Sequence, residues 1–247
     1  MKRDFQDRLA VVTGASSGIG LALCGGLLQN GARVVAMSRT PGELPALREV
    51  HGDRLHWVKG DVTCQDDLQR LCRETTPLGS VDYLVPNAGI AELADSLDMT
   101  AFARQWAVNG AGALSTLAAL RGVLANPASV VFVGTFLSRI SFPGLASYIA
   151  TKAALAAQVR TLAVEFGALG VRLNMVSPGP TATAIWDRFG LPEAQLEQVA
   201  DSISKRLLPG HFLDASAVAD VILFQLSQGA RGVYGGDWVV DNGYTLS

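Results

Sequence analysis

The sequence predicts an α/β protein with one doubly wound parallel sheet of about seven strands and helices on both faces. Short apolar runs rich in β-branched residues alternate with longer helix-patterned stretches, which is typical of repeated βα units. Most of these runs are apolar on both faces, as expected for strands that helices cover on each side. A length of 247 residues also fits a single domain spanning residues 1–247.

The predicted elements follow this alternation along the chain. The strands are expected at Leu9–Thr13, Arg33–Met37, Leu55–Lys59, Tyr83–Val85, Ser129–Gly134, Val171–Val176 and Asp237–Val240. The helices are expected at Gly18–Asn30, Gln65–Thr76, Met99–Ala125, Ser147–Gly167 and Ala215–Ser227.

One insertion, residues 184–212, separates the sixth strand from the last helix. It carries Trp186 and Phe189 around an amphipathic stretch, and it lies beyond the carboxyl edge of the sheet, where open α/β folds bind ligands. Because long loops in compact domains are usually functional, we expect this insertion to form a substrate lid. A surface helical hairpin with no role in binding is the alternative.

The composition indicates a globular protein without a general affinity for nucleic acid or membranes. Hydrophobic residues make up 49%, charged residues 17%, and the net charge is −2. The longest apolar stretch, residues 107–125, is interrupted by Asn109 and Arg121, so no membrane span is expected. The N-terminus is charged and lacks the apolar core of a signal peptide, which predicts a cytoplasmic protein.

The cysteines and histidines predict neither a disulfide scaffold nor a metal site. The three cysteines contain no CxxC pair, and the three histidines do not complete a metal-ligand set with them.

The first predicted strand runs directly into a glycine-rich turn, Gly14-Ala15-Ser16-Ser17-Gly18-Ile19-Gly20. Glycines let a pyrophosphate approach the backbone, and a helix that begins at once turns its unpaired N–H groups and its positive end towards the anion. The hydroxyls of Ser16 and Ser17 add donors. The position after the first strand predicts a dinucleotide site, although a tight strand–helix turn would show the same pattern.

The end of the second strand predicts NADP(H) as the dinucleotide. An NAD site usually has a carboxylate about 20 residues after the turn, for the ribose 2′-OH. Here the chain reads Ser38-Arg39-Thr40, without a carboxylate. A guanidinium suits a 2′-phosphate and stacks on adenine, although Arg39 also fits a solvated charge after a strand. Asp61 and Val62, after the third strand, are the candidates for contact with adenine.

Tyr148 and Lys152 open the fourth predicted helix, one turn apart on the same face. A free phenol has a pKa of about 10, too high for easy proton exchange at neutral pH, and an adjacent cation lowers the pKa by favouring the phenolate. The pair is therefore compatible with an acid/base centre. A tyrosine with a lysine at i+4 is common as a surface pair, so the pair alone does not predict this role.

Taken together, these motifs resemble the classical short-chain dehydrogenase/reductase family over essentially the whole chain. The matching pieces occur in the family's order and spacing: residues 13–20, Asn87-Ala88-Gly89, Asn109, Tyr148 with Lys152, and Pro178-Gly179 with Thr183. The resemblance implies a single Rossmann-like domain and an oxidoreductase that interconverts a carbonyl and an alcohol. Residues 38–40 are similar to those of the family's NADPH-using carbonyl and xylulose reductases.

The resemblance also implies a role for each matching residue. Tyr148 would exchange the proton, Lys152 would hold the nicotinamide ribose and lower the tyrosine's pKa, and Asn109 would anchor a water in the proton relay. The segment Asn87-Ala88-Gly89 would line the cofactor. Residues 178–183 would wrap the nicotinamide, through Pro178, Gly179, Thr181 and Thr183.

Two positions depart from the family pattern. Thr135 stands at the place of the family's catalytic serine; it keeps the hydroxyl and adds a methyl group. Gly134 before it removes bulk, and Ser138 is a fallback hydroxyl. Pro86 replaces the first asparagine of the family's NNAG motif, which removes a backbone donor and a side-chain amide.

The residues expected to face the substrate are apolar or aromatic: Ile90, Phe136, Leu137, Trp186 and Phe189. They predict a small apolar or aromatic carbonyl or alcohol substrate. Two alternatives are a 3-oxoacyl thioester reductase of the acyl-carrier-protein type and a cofactor-binding regulatory protein with a weakened site. The resemblance further implies a homo-tetramer built on the two long helices and the C-terminal segment.

Overall fold

Parallel strands form the centre of the molecule. The computed structural model describes residues 2–246, apart from the side chains of Lys2, Arg3, Asp187 and Arg188. Within this range one sheet contains β1 (Leu9–Thr13), β2 (Arg33–Ser38), β3 (Leu55–Lys59), β4 (Val81–Val85), β5 (Leu124–Val133), β6 (Val171–Pro178) and β7 (Asp237–Val240). The strand order is β3-β2-β1-β4-β5-β6-β7, and all pairs are parallel. The predicted fold class is confirmed.

Helices connect the strands and cover both faces of the sheet. They are α1 (Lys2–Phe5), α2 (Gly18–Gln29), α3 (Leu44–His51), α4 (Gln65–Thr75), α5 (Met99–Trp106), α6 (Ala113–Leu120), α7 (Ala146–Gly167), α8 (Glu193–Ser204) and α9 (Ala215–Leu226). None of these helices is long and apolar enough to cross a bilayer.

Two apolar cores lie on opposite faces of the sheet, as the period-2 alternation of a strand requires. One contains Val12 of β1 together with buried residues of α2 and α9, such as Leu27 and Ile222. The other contains Val11 with buried residues of α4, α6 and α7, such as Leu155. The single sheet with two covered faces forms one domain; Met1 and Ser247 of the predicted domain lie outside the described residues.

The strand order reverses at β1, and this reversal positions the candidate site. The chain proceeds from β1 to β2 and β3 on one side and returns to β4 on the other. The loops that leave the carboxyl ends of β1 and β4 therefore separate, and open α/β sheets bind ligands in the crevice between them.

The third predicted helix, Met99–Ala125, is wrong in two places. Residues 107–112 form a wider π-helical turn between α5 and α6. The last predicted residues belong to β5 instead, because Leu124 pairs with Val81 of β4. The pairing of β5 with β4 overrides the helical pattern of the local sequence.

Three helices were not among those predicted: α1, α3 and α8. The last of these lies in the insertion 184–212, after a 3₁₀ turn at Trp186–Phe189. The two ends of the insertion are joined by backbone hydrogen bonds from Ala182 N to Leu213 O at 2.9 Å and from Leu213 N to Pro180 O at 2.9 Å.

Candidate active site

A cleft of about 450 Å³ opens at the carboxyl ends of the central strands. Almost all of the predicted site residues line it: Gly14, Ser16, Ser17, Gly18, Ile19, Ser38, Arg39, Asp61, Val62, Asn87, Ala88, Gly89, Thr135, Tyr148, Lys152, Pro178, Gly179, Thr181 and Thr183. Gly20 and Asn109 are the predicted site residues that are not part of the lining.

The glycine turn needs glycine because other loops pack directly against it. Gly14 has a φ of 64°, and a Cβ there would lie 2.7 Å from Ala88 Cα. Gly18 has a φ of 53°, and a Cβ there would lie 3.0 Å from Thr183 Cγ2. A side chain at either position would combine left-handed backbone strain with a steric clash. The turn, the loop after β4 and the loop after β6 therefore form one cradle with an exposed backbone, which fits a pyrophosphate.

Asn87 fixes the loop after β4 to this turn. Its Nδ2 donates to Thr13 O at 3.0 Å and to Gly14 O at 3.1 Å. The Thr13 Oγ1 accepts hydrogen bonds from the backbone N–H groups of Asn87 and Ala88, at 3.1 and 3.2 Å. These bonds hold the loop although Pro86 precedes it, so the departure from the NNAG motif leaves the cleft wall intact.

The polar side chains at the end of the cleft near β2 and β3 differ in whether other residues already form hydrogen bonds with them. Arg39 is exposed, and its side chain makes no hydrogen bond or ion pair with any other described residue. The Ser38 hydroxyl donates to Thr40 O at 2.7 Å and accepts from Trp57 Nε1 at 3.0 Å. The Asp61 Oδ1 accepts from the Thr63 N–H and hydroxyl. Arg39 is thus the group free to meet an anion.

Tyr148 lies in the first turn of α7, and its residue is 8% exposed. Burial raises the pKa of Tyr148, and the neighbouring Thr135 hydroxyl opposes this rise. Both side chains line the cleft. The hydroxyl of Ser138, the other candidate, donates to Thr135 O at 2.9 Å and lies outside the cleft lining.

The pKa of Tyr148 is raised by burial, whereas the sequence predicts that Lys152 lowers it. The Lys152 Nζ donates to Val133 O at 2.7 Å. Lys152 is 4% exposed, and burial lowers its own pKa to about 8. A Cβ on Gly89 would lie 3.5 Å from this ammonium group, so glycine leaves the ammonium open towards the cleft.

The buried ammonium group makes folding stability depend on pH with a definite sign. Burial lowers the pKa of Lys152 from 10.5 to about 8, so between these values the unfolded chain binds a proton that the folded chain does not. This contribution to stability therefore rises with pH across that window. We expect the free energy of unfolding of the wild type, minus that of Lys152→Met, to increase by about 2 kcal/mol between about pH 7 and about pH 9.5.

Urea unfolding of both proteins at the two pH values measures this difference. The subtraction removes other groups such as Cys24, whose pKa burial raises to about 12 and which titrates with the opposite sign. A constant or decreasing difference would contradict the burial of the ammonium group.

Asn109 lies in the π-helical turn and is fully buried. Its Oδ1 accepts from Ile90 N at 2.8 Å, and its Nδ2 donates to Ile90 O at 2.9 Å and to Thr151 Oγ1 at 3.2 Å. The Thr151 hydroxyl in turn donates to Tyr148 O at 2.7 Å. The side-chain amide thus ties the loop after β4 to the helix of Tyr148.

The substrate end of the cleft is apolar. All five residues that the sequence assigned to the substrate line it: Ile90, Phe136, Leu137, Trp186 and Phe189. The sequence reasoning missed Ala91, Phe142, Leu145, Ile203 and Tyr244, which line it as well. Ile203 and Tyr244 carried a usable signal, since one lies in the amphipathic stretch of the insertion and the other follows β7 at the carboxyl edge of the sheet.

The start of the insertion is held against the cleft. The Trp186 Nε1 donates to Thr181 O at 2.8 Å. Its ring packs against Phe189 and Phe212, with centroids 5.3 and 5.2 Å apart. The side chains of Asp187 and Arg188, in the same turn of the predicted lid, lie outside the described set.

Comparison with known proteins agrees with this geometry. A family profile described as "Enoyl-(Acyl carrier protein) reductase" matches residues 14–245. The chain is 37% identical to cis-4-hydroxycyclohexanecarboxylate dehydrogenase of Sinomonas cyclohexanicum, over 99% of both chains. The chain belongs to the short-chain dehydrogenase/reductase family. It is also 33% identical to carbonyl reductase [NADPH] 2 of Sus scrofa, over 100% of both chains.

Solved structures show the same fold. A short-chain dehydrogenase/reductase of Caenorhabditis elegans, solved with its cofactor, superposes with a TM-score of 0.90 at 25% identity, and the match covers 98% of this chain and 97% of that one. The resemblance found in the sequence is confirmed. As a short-chain dehydrogenase/reductase, the protein belongs to a family of oxidoreductases that act on alcohol and carbonyl groups.

This family member shows no group of three or more histidine, cysteine, aspartate or glutamate side chains placed to hold a metal ion among its described residues.

Proposed function

We propose that the protein is an NADP(H)-dependent oxidoreductase that interconverts a ketone or aldehyde and an alcohol, with Tyr148 as its acid/base. The observation that carries this proposal is that the side chains of Tyr148 and Thr135 line the same cleft as the glycine turn. A proton donor, a second hydroxyl and a dinucleotide cradle thus share one space.

The side chains divide the chemistry of carbonyl reduction between them. When bound, the nicotinamide supplies the hydride. The Thr135 and Tyr148 hydroxyls both donate to the carbonyl oxygen, and Tyr148 then transfers its proton to that oxygen as negative charge develops. The phenol carries its proton at neutral pH, which is the state that a proton donor in carbonyl reduction needs.

The remaining site residues would bind the cofactor or position the reacting groups. Lys152 would turn from Val133 O towards a ribose, where its charge would also favour the phenolate after proton transfer. Asn109 acts as a positioning residue through Ile90 and Thr151. The backbone of residues 14–20 would hold the pyrophosphate, residues 87–89 would line the cofactor, and residues 178–183 would wrap the nicotinamide.

The preference for NADP(H) rests on Arg39. Its exposed guanidinium makes no hydrogen bond or ion pair with any other described residue and follows β2 directly, in the sequence Ser38-Arg39-Thr40, which has no carboxylate to hold a ribose 2′-OH. The relative from Sus scrofa, carbonyl reductase [NADPH] 2, is named for the same cofactor, which supports this preference.

Two substitutions of Thr135 test whether its hydroxyl stabilises the transition state. Thr135→Ser keeps the donor, and we expect kcat to stay within about threefold of the wild type. Thr135→Val keeps the shape and removes the donor, and we expect a loss of about 100-fold in kcat. Steady-state kinetics with NADPH measure both variants. A Thr135→Val enzyme with wild-type kcat would remove this hydroxyl from the mechanism.

A 3-oxoacyl thioester reductase is the second candidate, because the description of the matching family profile names acyl carrier protein. A carrier protein would need cations near the cleft mouth. Arg139 is paired with Asp237 at 3.6 Å, and neither Arg139 nor Arg160 lines the cleft. Turnover of a β-ketoacyl thioester mimic in preference to simple ketones would favour this candidate.

The homo-tetramer, the cytoplasmic location and the lid role of residues 184–212 stay predictions. The small residues Ala153, Ala154, Ala156 and Ala157 and the 78% exposed Val164, all on α7, support a contact between copies of this helix.

A further inference from the structure

Tyr244 forms part of the wall at the substrate end of the cleft. It begins a 3₁₀ turn that follows β7, and its residue is only 4% exposed. Its ring meets Phe136 edge to face, with centroids 5.2 Å apart at 82°. Phe136, Tyr148 and Tyr244 belong to one cluster of buried side chains, so the Tyr244 ring is part of the cleft wall on the Tyr148 side.

Arg206, two residues beyond the end of α8, braces this ring from behind. Its Cζ lies 4.1 Å from the ring centroid, which is within cation–π range. Its Nη1 donates to the Tyr244 hydroxyl oxygen at 3.1 Å, and its Nη2 donates to Tyr244 O at 3.5 Å. Arg206 is exposed and does not line the cleft, so it contacts the wall rather than the substrate.

The turn that carries Tyr244 is itself fixed. The Asp241 Oδ1 accepts from Gly243 N at 3.0 Å, and its Oδ2 accepts from Thr245 N at 2.9 Å and from Thr245 Oγ1 at 2.7 Å. Leu208 N, just beyond α8, donates to Asn242 O at 3.0 Å. The ring is therefore held both by its own turn and by the end of the insertion, and it cannot swing away without breaking these contacts.

Apolar side chains, Phe142, Leu145 and Ile203, line this end of the cleft together with Tyr244. The charged side chains among the described lining residues are Arg39, Asp61 and Lys152, and all three belong to the predicted cofactor site. Selection at the Tyr244 end therefore operates through size and shape.

We propose that Tyr244 is a specificity-determining residue: its braced ring is a fixed wall that limits how far a substrate extends beyond the reacting carbonyl. The wall admits ring-sized apolar ketones and excludes those with a further bulky group. This inference rests on the proposed function, since it concerns the substrate of that same site.

Tyr244→Ala tests the wall with two ketones that differ only in length, cyclohexanone and 4-phenylcyclohexanone. Removal of the ring opens space at the substrate end of the cleft. We expect the ratio of kcat/KM for the longer ketone to that for the shorter one to rise by about tenfold or more. Tyr244→Leu keeps an apolar side chain in the turn and changes the ratio in the same direction, which covers the case in which Tyr244→Ala does not fold.

Two further variants test whether the effect is specific to the Tyr244 ring and whether Arg206 holds that ring in place. Leu246→Ala, in the same turn but 83% exposed, is the matched control and leaves the ratio unchanged. Arg206→Met removes the brace and keeps the ring. We expect the same ratio to rise, through a lower KM for the longer ketone and by less than in Tyr244→Ala, while kcat for cyclohexanone stays near the wild-type value. An unchanged ratio would overturn the bracing role.

Failure of this inference and failure of the proposed function give different results. If the wild type reduces ketones and the ratio is the same in Tyr244→Ala and Tyr244→Leu, the wall is overturned and the proposed function stands. If the wild type reduces neither ketone, the proposed function fails. Calorimetry then measures the binding of the two ketones to the protein with NADP⁺. If the ratio of their Kd values is the same in the Tyr244 variants as in the wild type, the proposed wall is overturned.

Discussion

Replacement of Tyr148 by phenylalanine is expected to lower NADPH-dependent turnover of a ketone by at least about 100-fold, and by as much as about 10⁴-fold. The change removes one hydroxyl from a buried ring and keeps the packing of that ring in the cleft. It therefore removes the proton donor of the proposed mechanism and little else. Stopped-flow measurement of nicotinamide absorbance gives the rate of the chemical step.

The same variant should still bind NADPH. The cradle for the pyrophosphate is built from residues 14–20 and 87–89, which Tyr148 does not hold in place through its hydroxyl. Enhancement of nicotinamide fluorescence measures this binding. Tyr234→Phe, which removes a hydroxyl from a 53% exposed ring outside the cleft lining, is the control and should keep wild-type turnover. Unimpaired turnover in Tyr148→Phe would exclude the phenol from the reaction.

Replacement of Arg39 by aspartate is expected to reverse the cofactor preference. The ratio of kcat/KM with NADPH to kcat/KM with NADH should fall by about 100-fold or more, because a charge-assisted contact is lost and a carboxylate is placed where it repels a 2′-phosphate. The same carboxylate can accept hydrogen bonds from the ribose 2′-OH of NADH. Steady-state kinetics with both cofactors give the ratio.

A matched control isolates the local effect from the change in net charge. Arg48→Asp introduces the same charge change at an exposed position on α3 that does not line the cleft, and it should leave the preference nearly unchanged. The preference of the wild type for NADPH should also weaken with added salt, since Arg39 is exposed and its field is screened. Equal preferences in Arg39→Asp and the wild type would remove Arg39 from cofactor recognition.

The local pattern was enough to predict most of the sheet. Strands such as Leu9–Thr13 and Asp237–Val240 have their predicted bounds, because a short apolar run between turn residues has few other stable conformations. The extension of β5 back to Leu124 was not predictable in this way. Its pairing with Val81 depends on a strand more than 40 residues away in the sequence, and local propensity carries no signal of that kind.

The same distinction between local and long-range interactions applies to the site. The sequence by itself determined the chemistry that is available: a glycine turn after the first strand, Arg39 without a carboxylate beside it, and Tyr148 with Lys152 one helical turn away. These features depend on residue types at short spacings, which the backbone of one helix or one strand–helix turn converts directly into proximity.

Only the tertiary structure decided how these groups are tuned. Burial raises the pKa of Tyr148, and the ammonium of Lys152 donates to Val133 O, on a strand that precedes its helix. Desolvation depends on everything packed around a group, so no local pattern reports it. For the same reason Tyr244, which is distant in sequence from Phe136 and Arg206, enters the cleft wall only once the chain has folded.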